Sequence, residues 1–184
     1  MAILSLYSCA SNGGEDLETA GDNADTVRYY DIQSTVREQI GKITSTPTFM
    51  YMITLHGTTK DSVLIDTATL IKEAAPFLQV NLNDHRMKKN YRETVFEDGD
   101  TRSIVLSYSA KTEDLPLKSV AVLLDNQTHE LKRIDIIRSY GRNDTSFNER
   151  LAWIADQSFR IVKIASRDTA ELTTQTHVVW GGRD

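Results

Sequence analysis

From Met87 to the C-terminal end the sequence reads as almost continuous β-structure, and this constrains the fold more than any other feature. Tyr91, Thr94, Val95 and Phe96 fit a strand closed by Glu97-Asp98-Gly99-Asp100, a hairpin signal, and Ser103 to Tyr108 fits its return. Leu117 to Asp125 and Leu131 to Arg138 form a second pair around Asn126-Gln127-Thr128-His129. Phe147 to Ile154, Phe159 to Ser166 and Leu172 to Trp180 add three more candidates. Strands this close together, with turn residues between them, pair with their sequence neighbours, so an antiparallel meander is expected.

The N-terminal half has a different period. From Val27 to Thr44 the apolar residues Val27, Tyr30, Ile32, Val36, Ile40 and Ile43 fall mostly three and four apart, which predicts a helix with one buried face. Ser45-Thr46-Pro47 ends it, because the residue before a proline resists the α conformation. Phe49 to Leu55 then reads as a strand, His56 to Asp61 as a turn and Ser62 to Ile65 as the returning strand. Asp66-Thr67 supplies an N-cap for a second helix, Ala68 to Leu78, whose last turn Pro76 is expected to disrupt. The expected fold is therefore α+β: a curved, half-barrel-like antiparallel sheet of about seven to nine strands packed against two helices.

A length of 184 residues suits one domain. The net charge of −5 is unevenly placed. Residues 10–26 hold Glu15, Asp16, Glu18, Asp22 and Asp25 with no Lys or Arg, and setting those five aside leaves 21 acids against 21 bases. A balanced domain has no global field to draw it onto nucleic acid, so no nucleic-acid partner is expected. The sequence contains no apolar run of about 18 residues, the length a membrane-spanning helix needs.

The lone cysteine, Cys9, follows the short apolar run Leu4-Ser5-Leu6-Tyr7-Ser8 and precedes Ala10-Ser11. Leu6 three residues before it and Ser8 one before it match a lipobox, in which the cysteine carries the acyl chains and becomes the first mature residue. Residues 1–9 therefore read as the truncated remnant of a lipoprotein signal, with Cys9 as the lipidation site. Residues 10–26 read as a disordered acidic tether, since they have too few apolar side chains to bury. The folded domain is expected over residues 27–184. Several acyl chains on one cysteine hold a protein to a bilayer, where a single chain would be marginal. The expected location is the bacterial cell envelope, as an outer-membrane lipoprotein facing the periplasm, with the membrane as a partner through the lipid anchor.

The segments Leu106-Ser107-Tyr108-Ser109-Ala110-Lys111 and Leu115-Pro116-Leu117-Lys118-Ser119-Val120 lie in this order of helix, early hairpin, second helix and long meander. In that order the chain resembles small lipoproteins of the Bacteroidetes type. These are similar in layout to the half-barrel carriers of the lipoprotein-localisation system, whose sheet wraps an apolar cavity under helices. The resemblance implies a fold and an envelope location, and it carries over no catalytic or binding residue.

Candidate chemistry is sparse. There is no Gly-x-Ser-x-Gly and no His-Glu-x-x-His, and Cys9 lies outside the expected domain. No two of His56, His85, His129 and His177 have metal-pair spacing, so neither a metal nor a cofactor is expected. Phe49, Tyr51, Ile53, Phe77, Tyr108, Val122, Ile136 and Trp153 are candidates to line an apolar cavity. Read as strand residues, Lys88 and Lys89 alternate to opposite faces, and with Arg92 beside Tyr91 they offer a basic face suited to an anion or lipid head group. The expected function is a non-catalytic binding or accessory role in which a concave sheet holds an apolar small molecule, a lipid or an envelope protein. The alternative is a structural or interaction subunit of an envelope complex, which predicts an exposed apolar patch or an unpaired strand edge.

Overall fold

The computed structural model describes residues 28–181. The signal remnant with Cys9, the acidic tether, Val27 and residues 182–184 lie outside the described residues. The first helix, α1 (Ile32–Ser45), begins later than its periodicity predicts. Asp31 caps it, its carboxylate accepting the Ser34 N–H at 3.0 Å and the Ser34 hydroxyl at 2.8 Å. The two residues before the cap are committed elsewhere. Tyr29 N–H donates to Asn83 Oδ1 at 2.9 Å, and Tyr30 N–H donates to the Tyr108 hydroxyl at 3.1 Å.

Strands β1 (Met50–His56) and β2 (Thr59–Ile65) form a hairpin, and Gly57 at φ +59° takes the left-handed position that its two-residue turn demands. Helix α2 (Thr67–Leu78) follows, capped by Asp66, whose carboxylate accepts the Thr69 N–H at 2.8 Å. Pro76 does not break its last turn. The helix runs on to Leu78, with Phe77 buried among aromatic rings of the sheet. Met87 to Asn90, expected to open the β-region, instead belong to a short third helix, α3 (His85–Asn90), capped by Asp84 accepting from Arg86 N–H.

The meander comprises β3 (Tyr91–Asp98), β4 (Ser103–Ala110), β5 (Leu117–Asp125), β6 (Leu131–Arg142), β7 (Thr145–Ile154), β8 (Ser158–Arg167) and β9 (Ala170–Trp180). Each strand pairs antiparallel with the next, and β9 then pairs with β1. The result is one open nine-stranded sheet in the order β2-β1-β9-β8-β7-β6-β5-β4-β3. The expected α+β fold is thus present, with an antiparallel sheet against helices and with one helix more than expected. Strands β6 and β7 reach further than the apolar pattern indicates and meet in a two-residue turn, Asn143-Asp144. Both residues have positive φ, 48° and 57°, the geometry of a type I′ hairpin.

Period-two alternation splits the sheet into two faces. On one, Met50, Val178, Trp180, Phe159, Leu151, Trp153, Ile134, Ile136, Val120, Val122 and Tyr108 are buried with Ile32, Val36, Ile40 and Ile43 of α1 and Leu70, Ala74 and Phe77 of α2. Phe77 meets Trp153 and Phe159 edge-on, with centroids 5.3 and 5.6 Å apart, and Trp180 closes the cluster against Trp153 at 5.4 Å. Gln39 of α1 also reaches this layer, its side-chain oxygen accepting the Asp156 N–H of the β7–β8 turn at 3.1 Å. Among the described residues, the other face of the sheet carries no helix.

Candidate functional site

The eight residues proposed to line a cavity do not share one. Phe77, Tyr108, Val122, Ile136 and Trp153 are at most 1% exposed in the helix-covered core. Tyr51 and Ile53 project from the opposite face, and Phe49 precedes β1 and is 73% exposed. The helix side is packed with side chains, and ring-to-ring contacts hold it together. Phe77 of α2 sits where a cavity under the helices would lie.

The basic trio is divided in the same way. Lys88 and Lys89 belong to α3, so they do not alternate across a strand as expected. Arg92 alone is on β3, exposed on the helix-free face. The Lys89 carbonyl accepts a hydrogen bond from Lys111 Nζ at 2.7 Å.

A depression of about 430 Å³ lies in the helix-free face, across the middle strands. Strand β6 contributes Arg133, Asp135 and Ile137, β7 contributes Arg150, Ala152 and Ile154, β8 contributes Ser158, Arg160 and Val162, and β9 contributes His177; Ile136, one of the eight expected cavity residues, and Leu151 also border it. Pairing fixes their positions. Arg160 stands directly opposite His177 on one side and Ala152 on the other, while Arg150 stands opposite Val162 and Ile137. Arg150 and Arg160 are therefore diagonal neighbours, about 7–8 Å apart at the backbone. Ala152, Ile154, Val162 and His177 are half-buried, although no helix covers them.

The charges in this depression are unequal in standing. Arg133 is neutralised by Asp135 through two bonds, Nε to Oδ2 and Nη2 to Oδ1, each 2.7 Å. Arg150 and Arg160 have no ion pair or hydrogen bond from their guanidinium groups among the described residues. Burial first, and the Arg160 charge second, hold the His177 imidazole below its ordinary value of 6.5. The depression thus presents two unpaired guanidinium groups and a neutral-leaning imidazole amid aliphatic side chains. Few polar groups among apolar ones is the usual make-up of a small-molecule pocket, and the volume falls in the range of about 300–1,000 Å³ common for such pockets.

A second depression of about 430 Å³ lies on the helix side at the end of α2, lined by Pro76, Val80, Met87, Leu117 and Glu149 among others. Its charge is internally satisfied. Glu149 is flanked in register by Arg138 and Lys163, binding Arg138 Nη2 at 2.8 Å and Lys163 Nζ at 3.5 Å, and it accepts the Tyr140 hydroxyl at 2.8 Å. Burial and this carboxylate both push the Tyr140 hydroxyl above its ordinary value. The network cross-links β6, β7 and β8, and among the described residues it leaves one buried donor, Arg138 Nε, without a partner.

Among the described residues no three His, Asp or Glu side chains gather as a metal-binding set. His56 ends β1, His85 opens α3, and His129 sits in the β5–β6 turn at φ +59°. Among the described residues no helix is long and apolar enough to cross a membrane. Sequence reasoning passed over Arg150 and Arg160 and weighed His177 only as a metal ligand, because only strand pairing brings the three together. No protein-family model matches the chain, and no curated protein matches it either.

Proposed function

We propose that this chain is a lipid-anchored protein of the bacterial cell envelope with a non-catalytic binding role, holding an apolar ligand on the helix-free face of its sheet. One observation carries the binding part. The core beneath α1 and α2 is filled and the helix-side depression holds the Glu149 ion-pair network, whereas the opposite face keeps half-buried aliphatic side chains around a depression of about 430 Å³. In an antiparallel sheet with one solvated face, outward positions are ordinarily polar. Here Ile137, Ala152, Ile154 and Val162 occupy them. The anchoring part rests on Cys9 and its lipobox-like flank.

Two measurements test this. Mass spectrometry of membrane-fraction protein should find acyl mass on Cys9, and a Cys9→Ser variant that stays in the membrane fraction refutes the anchor. A neutral apolar naphthylamine dye should gain fluorescence with the protein and lose the gain in an Ala152→Asp/Val162→Asp variant. Undiminished binding by that variant refutes the site.

A second reading, as an interaction subunit of an envelope complex, is favoured by edge strand β2, exposed along nearly its whole length, with its Leu64 60% exposed and the register partner Tyr51 on β1 48% exposed. It predicts self-association or partner capture that Leu64→Lys abolishes. A monomer by light scattering whose envelope partners are unaffected by that change argues against it.

A further inference from the structure

Apolar surface alone does not account for the chemistry of the helix-free face. Arg150 and Arg160 extend from adjacent strands into one depression and find no carboxylate there among the described residues, where the available acid, Asp135, already holds Arg133 through two bonds. Two like charges at diagonal positions repel each other, and an anion between them removes that repulsion. The guanidinium group has the planar donor geometry that matches a carboxylate or phosphate. The aliphatic surface on β6, β7 and β8 begins at the bases of these same two side chains, since Arg150 is opposite both Ile137 and Val162.

We infer that the depression takes a monomeric amphiphilic anion, its oxyanion head held by Arg150 and Arg160 and its apolar body lying over Ile137, Ala152, Ile154 and Val162. This rests on the open-face binding role proposed above and assigns its ligand a chemical class. His177, opposite Arg160 on β9, borders the head position and offers a neutral hydrogen-bonding imidazole. Two guanidinium groups accommodate a carboxylate or a phosphate head alike, so the shared chemistry is an oxyanion joined to a chain.

The test is calorimetric titration of the full chain with dodecanoate, dodecyl phosphate, dodecanol and inorganic phosphate, the amphiphiles kept below micelle formation. The two amphiphilic anions should bind at least tenfold more tightly than dodecanol or inorganic phosphate. An Arg150→Gln/Arg160→Gln variant should lose at least tenfold for the anions and leave dodecanol unchanged. Both side chains are exposed, so the variant should keep the wild-type melting temperature. Equal binding of dodecanol and dodecanoate overturns the inference and leaves the open-face role standing. If none of the four binds, both fall. Inorganic phosphate binding as tightly as dodecanoate removes the apolar half of the assignment. Binding to phosphatidylglycerol vesicles without binding to monomeric dodecanoate replaces the small ligand with a membrane surface and also overturns it.

Discussion

Phe77→Ala separates a ligand site on the helix-free face from one under the helices. Phe77 is fully buried at the end of α2 and touches Trp153 and Phe159 edge-on at 5.3 and 5.6 Å. Removing the ring opens a cavity between helix and sheet that rigid aromatic neighbours fill only partly. Phe→Ala changes in such cores cost about 3–5 kcal/mol. The two edge-on ring pairs are each worth roughly 0.5–1.5 kcal/mol beyond burial, which places this site in the upper half of that range. For a domain of this size about 1 kcal/mol moves the melting temperature by roughly 2–4 °C, so a drop of about 8–20 °C is expected by calorimetry. Affinity for dodecanoate at a temperature where the variant is folded should be unchanged, since the ring faces away from the depression. A loss below about 1 kcal/mol in urea titration refutes the packing argument. Tighter dodecanoate binding by the variant places the ligand under the helices and refutes the site assignment.

Other outcomes follow from individual side chains. Asp31→Ala removes the acceptor for the Ser34 N–H and should cost about 1 kcal/mol, seen as a lower urea midpoint with unchanged slope. Unfolding returns His177 from its depressed value to about 6.5, so between those two values the unfolded chain binds more protons. Its contribution is therefore complete above about pH 6.5 and lost as pH falls through the folded value. His177→Gln should flatten that part of the urea-midpoint profile, and an unchanged profile refutes the assignment. Glu149→Leu leaves Arg138 and Lys163 facing each other across β7 without a carboxylate and should cost about 3 kcal/mol or more in urea titration. Asp144→Gly relieves a left-handed residue in the Asn143-Asp144 turn and should stabilise by up to about 1 kcal/mol in the same assay.

The meander was legible in the sequence because one face of each strand is buried. Leu117 to Asp125 is an apolar stretch bounded by Pro116 and by the turn residues from Asn126, and its bounds match β5 residue for residue. Where burial ends, the signal ends. The β6–β7 hairpin extends past Arg138 to a turn at Asn143-Asp144 through Ser139, Gly141 and Ser146, residues with no apolar partner to mark them. Helix α3 was read as strand because six residues give too little helical period to outweigh the β-pattern that follows, although Asp84 before Arg86 was a usable cap signal.

The candidate site was hidden for a different reason. Each of Arg150, Arg160 and His177, taken alone, is an outward residue on a strand, which water explains. Only the pairing of β7 with β8 and of β8 with β9 makes them neighbours, and pairing is a long-range property that local spacing does not encode. A usable signal was nevertheless present. Ile134, Ile136 and Ile137 on β6, and Phe159, Ile161, Val162 and Ile164 on β8, are apolar at both parities, the pattern of strands buried on two sides. The helices cover only one of those sides. In the proposed function the second apolar parity is the ligand-facing surface, and Arg150 and Arg160 beside it are the oxyanion contacts.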